Sequence, residues 1–359
     1  MSSPDGRIPR MRGVFVVITA LCVALSVAAS AKPAAHPAEF TSPDNVLRWI
    51  NGYRQNPDPA NVPAAMRALS GFGALNDPEK AGVYVGFLAG VLLANPAQAD
   101  GMIAKILPLP EEDEWALVRA IAFSGHPQWR NLLARVKPRL VARRAMIDKY
   151  LNAQLPTLDQ LAIERGPTFR QKMRGYFNVS SYFKPKGAKP VKLEPSPDVL
   201  DTLWGYWFAT RSDVPLSRIV ALLSLSKEKD SADKLVVGSM AKYTLASNAS
   251  RDSSLLATLR GARPQQDADT GPILSEVIEA AETVDIARIR KEALASIEDL
   301  KRKGPGSNRE VAWWGKVGQG AIALGCVGAA VAGAVAVGIP CVVGGAASSA
   351  ALNMWGTQN

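Results

Sequence analysis

Few residues in this 359-residue chain stand in arrangements that could do chemistry. Its two histidines, His36 and His126, lie far apart, so count alone excludes a His-rich metal site. Glu111, Glu112, Asp113 and Glu114 form an acidic run that could gather a cation. The same run at the start of a helix also answers the positive end of the helix dipole, which explains it more simply. Ser181-Tyr182-Phe183-Lys184 matches the SxxK pattern of penicillin-recognising nucleophiles. Its companion motifs are absent, and it lies among prolines and lysines. Aspartates and glutamates are abundant enough for a glycosidase-type pair, yet no spacing selects one. There is no phosphate-binding glycine loop, nucleophile elbow, HExxH or paired CxxC. The sequence therefore assigns no catalytic, cofactor-binding or metal residue and implies no cofactor.

Two features point to binding instead. The first is charge. The net charge of +10 comes almost wholly from 127–190, which holds 14 basic and 3 acidic residues, against 7 and 10 in 32–126 and 17 and 18 in 191–310. Such a block suits an anionic lipid or polymer, and Arg139, Arg143 and Arg144 are its candidate contacts. Tyr176, Phe177, Tyr182 and Phe183 lie beside its lysines, to grip a surface or to pin a loop. The second is 317–352, which carries no charge and is rich in Ala and Gly. Ala321, Gly325, Ala329 and Gly333 recur every four residues, a line of small side chains that lets another helix approach closely. Trp313, Trp314 and Trp355 flank it, as interfacial aromatics do.

Arg7, Arg10 and Arg12, an apolar run over 14–27 and the small residues Ala29-Ser30-Ala31 make 1–31 a cleavable signal peptide. Its apolar run is shorter than the ~20 residues of a membrane span. Export to the periplasm or cell envelope follows, and argues against nucleic acid as a partner. Of the two cysteines outside the signal, Cys326 and Cys341 form a disulfide candidate. The bridge would close a loop of about 15 residues, worth ~3 kcal/mol in the chain-entropy view.

Strand signals are scarce, and helix signals are frequent. Asn76-Asp77-Pro78-Glu79 predicts a helix start, with the helix running through Val83, Phe87 and Leu92 to Asn95-Pro96. It is apolar on most faces and so should be central. A second helix opens on the acidic run, buries Trp115, Val118 and Ile121, and stops at Ser124-Gly125. Apolar helix, short polar turn and new helix recur around Pro96, Pro127, Pro215 and Asn248, at a spacing of roughly 30 residues between the first two. The fold class is thus all-α, an irregular helical-hairpin array of α-solenoid character. A helical domain at 40–177 and a second at 197–304 flank a Pro/Lys-rich linker at 178–196. The second domain ends in one long helix over 272–303, stopped by Gly304-Pro305-Gly306. Beyond it, 313–355 is too long for one ordinary span and breaks at Gly338-Ile339-Pro340, which suits a Gly/Ala-rich helical hairpin. That hairpin packs either in a membrane or against protein, including a helical partner.

Trp204-Gly205-Tyr206-Trp207-Phe208-Ala209-Thr210, the helix over 279–303 and the stretch 320–328 resemble a group of exported, mostly helical proteins of alphaproteobacteria. The resemblance implies no activity and carries no residue role. The function expected from the sequence is a non-enzymatic helical scaffold or binding module of the cell envelope, docked through its C-terminal hairpin. An envelope-polymer hydrolase and a membrane-active secreted effector are the alternatives.

Overall fold

The computed structural model describes residues 40–163, 191–229, 231–283 and a few positions between 288 and 295. Cys326, Cys341, Ala321, Gly325, Ala329 and Gly333 lie outside the described residues. So do the signal segment, the Ser181–Lys184 motif, the four aromatics beside it and most of the linker.

The described chain is all-α, and its single β-type pairing is an isolated parallel bridge between Leu161 and Leu193. The helices are α1 (Pro43–Tyr53), α2 (Val62–Gly71), α3 (Gly82–Ala94), α4 (Ala99–Ile106), α5 (Glu114–Phe123), α6 (Trp129–Val136) and α7 (Arg144–Leu151). After the linker come α8 (Pro197–Ala209), α9 (Val214–Leu222), α10 (Ala232–Ala249), α11 (Ser253–Ala262) and α12 (Thr270–Thr283). Local chemistry sets several starts. The Ser42 hydroxyl accepts from the Asn45 amide at 3.2 Å, with Pro43 in the first turn of α1. The Asp252 carboxylate accepts from the Ser254 and Leu255 amides and opens α11.

Three boundaries differ from the sequence reading. Asn76-Asp77-Pro78-Glu79 forms a turn of its own, closed by the Lys80 and Ala81 amides donating to the Asp77 carbonyl, and α3 begins only at Gly82. The acidic run mostly precedes α5, whose first residue is Glu114. The long C-terminal helix begins at Thr270, with Pro272 in its first turn; α12 reaches Thr283, and residues 288, 289, 291, 292 and 295 are helical again. The stop after α5 is as expected: Ser124 caps it, and Gly125 takes the left-handed backbone (φ 65°) that glycine adopts at no steric cost.

The centre is a pair of helices from opposite sides of the 178–196 segment. Every residue of α3 from Gly82 to Leu92 is buried, as is every residue of α8 from Val199 to Ala209. They meet backbone to backbone. A Cβ placed on Gly86 would stand 1.9 Å from the Thr202 carbonyl oxygen, and one on Gly205 would stand 2.0 Å from the Val83 carbonyl oxygen. Gly82, Gly86 and Gly90 form a stripe at four-residue spacing along α3, and only hydrogen fits there. A linear stack of hairpins would bring together neighbours alone; four helices, α4 to α7, lie between α3 and α8 in the chain.

The other helices wrap this pair. Trp49 of α1 packs edge-on to Phe40, Tyr53 and Phe87 at centroid distances of 5.2–5.4 Å. The Trp204 indole N–H of α8 donates to the Thr244 hydroxyl of α10 at 3.0 Å. Trp207 carries the Arg54 guanidinium 4.3 Å above its ring, and that guanidinium also pairs with Asp213 at 3.2 Å. Buried residues from both flanks of the linker enter one hydrophobic core. Among the described residues no single helix is long and apolar enough to cross a membrane. α3 with the segment Pro96–Ile106 has the composition for it, but the two are bent by 103°, and α3 is sunk in the core.

Candidate functional site

A cavity of about 590 Å³ opens beside α8. Its walls come from the turn between α5 and α6, the first turn of α6, the segment Leu155–Gln160, α8 and the start of α9. The volume is in the range of small-molecule sites.

The α5–α6 turn is fixed by its own polar groups. The Ser124 hydroxyl donates to the Ile121 carbonyl at 2.7 Å and accepts from the His126 amide at 3.1 Å. His126 is 4 % exposed. Its Nδ1 accepts from the Gln128 amide at 3.0 Å, which places the ring proton on Nε2, 3.3 Å from the Pro96 carbonyl. The Tyr206 hydroxyl of α8 donates to the Ser124 carbonyl at 2.6 Å.

The opposite wall is the short 3₁₀ turn Leu158–Gln160. A capping box holds it: the Thr157 amide donates to the Gln160 side chain at 2.8 Å. The Leu161–Leu193 bridge ties it to the far end of the linker, through Ala162 N–H to the Leu193 carbonyl at 2.7 Å and Leu193 N–H to the Gln160 carbonyl at 3.0 Å. From α9, the Arg218 guanidinium donates to the Leu158 carbonyl.

Four groups whose charged form burial disfavours line this cavity. Arg218 is 3 % exposed, and burial brings its pKa down to about 10, opposed by the nearby charges of Asp159 and Tyr206. Burial likewise pushes the Tyr206 phenol up. Arg130 lies over the Trp129 ring at 4.3 Å, and burial lowers its pKa against the attraction of Asp159. Tyr150, edge-on to Phe123 at 6.5 Å, is raised by burial and lowered by Arg119.

These hydrogen bonds are structural. The imidazole of His126 is engaged at both nitrogens, and the Ser124 and Tyr206 hydroxyls each donate to a backbone carbonyl. The cavity offers aromatic and aliphatic walls, two guanidinium groups and one carboxylate, a set suited to holding a ligand. Among the described residues no group of three or more His, Cys, Asp or Glu side chains is placed to hold a metal ion.

None of the sequence-selected arginines lines this space. Arg143 directs its guanidinium to the Glu111 carbonyl, at 2.6 Å from Nη2 and 3.2 Å from Nε, and so steadies the approach to α5. Arg139 and Arg144 are exposed on either side of the Val141–Arg143 turn. The acidic run does not gather either. Asp113 accepts from the Ser70 hydroxyl, while Glu114 is buried in the first turn of α5 and raised by burial and by Glu111. The residues that shape the cavity, Trp129, Asp159, Tyr206 and Arg218 among them, carry no spacing that marks them in sequence.

No known protein family, curated protein or solved structure matches this chain.

Proposed function

We propose that the chain is a non-enzymatic binding module of the cell envelope, holding a small ligand in the cavity beside α8 and docking to a membrane or a helical partner through 317–352. The cavity carries this reading: it has the size of a ligand site, and its reactive-looking groups are engaged in holding its walls. The signal-like 1–31 supports export, and the uncharged, small-residue 317–352 supports docking. In fold terms the body reads as an irregular helical-hairpin array wound about α3 and α8, closed by a Gly/Ala-rich hairpin.

Titration of the purified full-length protein with the neutral fluorophore N-phenyl-1-naphthylamine tests the ligand site. Saturable uptake at one site is expected, weakened at least about tenfold by Leu155→Trp, which enlarges a half-buried residue of the lining, with the melting temperature unchanged. Uptake that does not saturate, or that ignores this variant, overturns the site. Fractionation of cells making tagged full-length and 1–310 forms tests the docking. The full chain is expected with the envelope and the shortened one free in the periplasm; both free would overturn it.

A further inference from the structure

We infer that the junction of α2 with the start of α5 is a pH-sensitive clasp, firmest in acid and loosened as the carboxyl groups of Asp113 and Glu114 ionise.

The geometry carries this. Asp113 and Glu114 follow one another at the start of α5, and they are only 1 % and 6 % exposed. One oxygen of Asp113 accepts from the Ser70 hydroxyl of α2, while the other is buried without a hydrogen-bond partner. One carboxyl oxygen of Glu114 is buried in the same condition. Among the described residues neither group forms an ion pair. A carboxylate withdrawn from water with no cation and too few donors costs free energy, and a proton removes the charge that causes the cost.

The surroundings do not offset that charge. Glu111 and Glu112 are exposed in the same run, and the charge of Glu111 opposes ionisation of Glu114. Arg143, from the turn before α7, is the cation that favours it. Its guanidinium is directed to the Glu111 and Glu112 carbonyls, at 2.6 and 3.4 Å from Nη2. Arg67 of α2 donates to the Lys105 carbonyl. Arg119, further along α5, lies over the Trp115 ring at 4.9 Å and pairs with Asp198 at 3.7 Å. Burial is the largest influence on Glu114, followed by Glu111 and opposed by Arg143, and the carboxyl is held above its ordinary value.

The sign follows from linkage. A carboxyl raised in the folded chain gives its full stability below the ordinary glutamate value, and that stability is lost as pH rises through the folded value. α5 runs from this junction to Phe123 in the cavity wall, so the clasp anchors one end of a helix whose other end shapes the cavity.

Melting temperatures of the full-length protein and of Glu114→Gln between pH 4.5 and 8 test this. The variant keeps the side-chain shape and cannot ionise. Any fixed cost of the substitution cancels when the gap between the two proteins is followed with pH. The gap is expected to move in favour of Glu114→Gln by at least about 3 °C from pH 4.5 to 8. Should Glu114→Gln not fold, Asp113→Asn takes its place in the same comparison. Amide hydrogen exchange over 111–118, corrected for its intrinsic pH dependence, reads the junction directly. In the unaltered protein at least about fivefold stronger protection is expected at pH 5 than at pH 8. A gap that is constant with pH or moves the other way, or equal protection at the two pH values, overturns the clasp.

Discussion

α8 presents two different solutions on neighbouring residues. Gly205 meets α3 with no room for a methyl group, whereas Tyr206, next in sequence, stands in the wall of a cavity of about 590 Å³. On the first side the backbones touch, and no side chain intervenes. On the second, Tyr206, Trp129 and Arg218 hold the elements apart, each fixed by a hydrogen bond or a ring contact. Between α3 and α8 the close contact is made by glycines, and at the cavity Tyr206 and Arg218 have their polar ends tied to backbone.

The largest test of that contrast is Gly86→Ala. One methyl group directed at the Thr202 carbonyl must drive the central helices apart. A loss of about 3 kcal/mol or more is expected in chemical denaturation, at the upper end of overpacking effects. A loss under 1 kcal/mol, on the order of an ordinary surface change, would mean that α3 and α8 are not in backbone contact. Tyr206→Phe probes the other side. It removes the hydroxyl and leaves the Ser124 carbonyl without that donor, for an expected loss of about 1–2 kcal/mol. Fluorophore uptake should persist, because the ring stays in the wall. Gly101→Ala is the smallest change and the control. Nothing lies within 4 Å of a Cβ at Gly101, inside α4, so helix propensity should raise stability by about 0.5–1 kcal/mol in the same denaturation experiment. Together the two glycine variants separate close approach from propensity by sign.

Much of the helical scaffold was legible in the sequence, because caps and stops act locally. Ser124-Gly125 ends α5 where its residues say it should, and the all-round apolar α3 is central. Starts were less legible. Asp77 organises a complete turn before α3, and a cap-like residue followed by proline looks the same in either setting. The glycine stripe in α3 has the same four-residue spacing as Ala321, Gly325, Ala329 and Gly333, but it is embedded in large apolar residues that fill every other face. The cavity was not legible at all. Its walls come from segments around 93, 122–131, 150–160 and 203–218, and only the long-range pairing of α3 with α8 decides where those segments meet. Charge counting drew attention to the basic middle of the chain and to Arg139, Arg143 and Arg144. Arg218 sits in a stretch whose acids and bases nearly cancel, and its weight comes from burial, which composition cannot express.

The tether at Leu161 and Leu193 has a mechanical consequence. α8 is locked against α3 by backbone contact, so that side of the cavity cannot retreat when something larger enters. The compliant side is the 3₁₀ turn at Leu158–Gln160, restrained by the capping box, the guanidinium of Arg218 and the two amide bonds of the bridge. Any widening of the cavity on that side would have to stretch those two amide bonds.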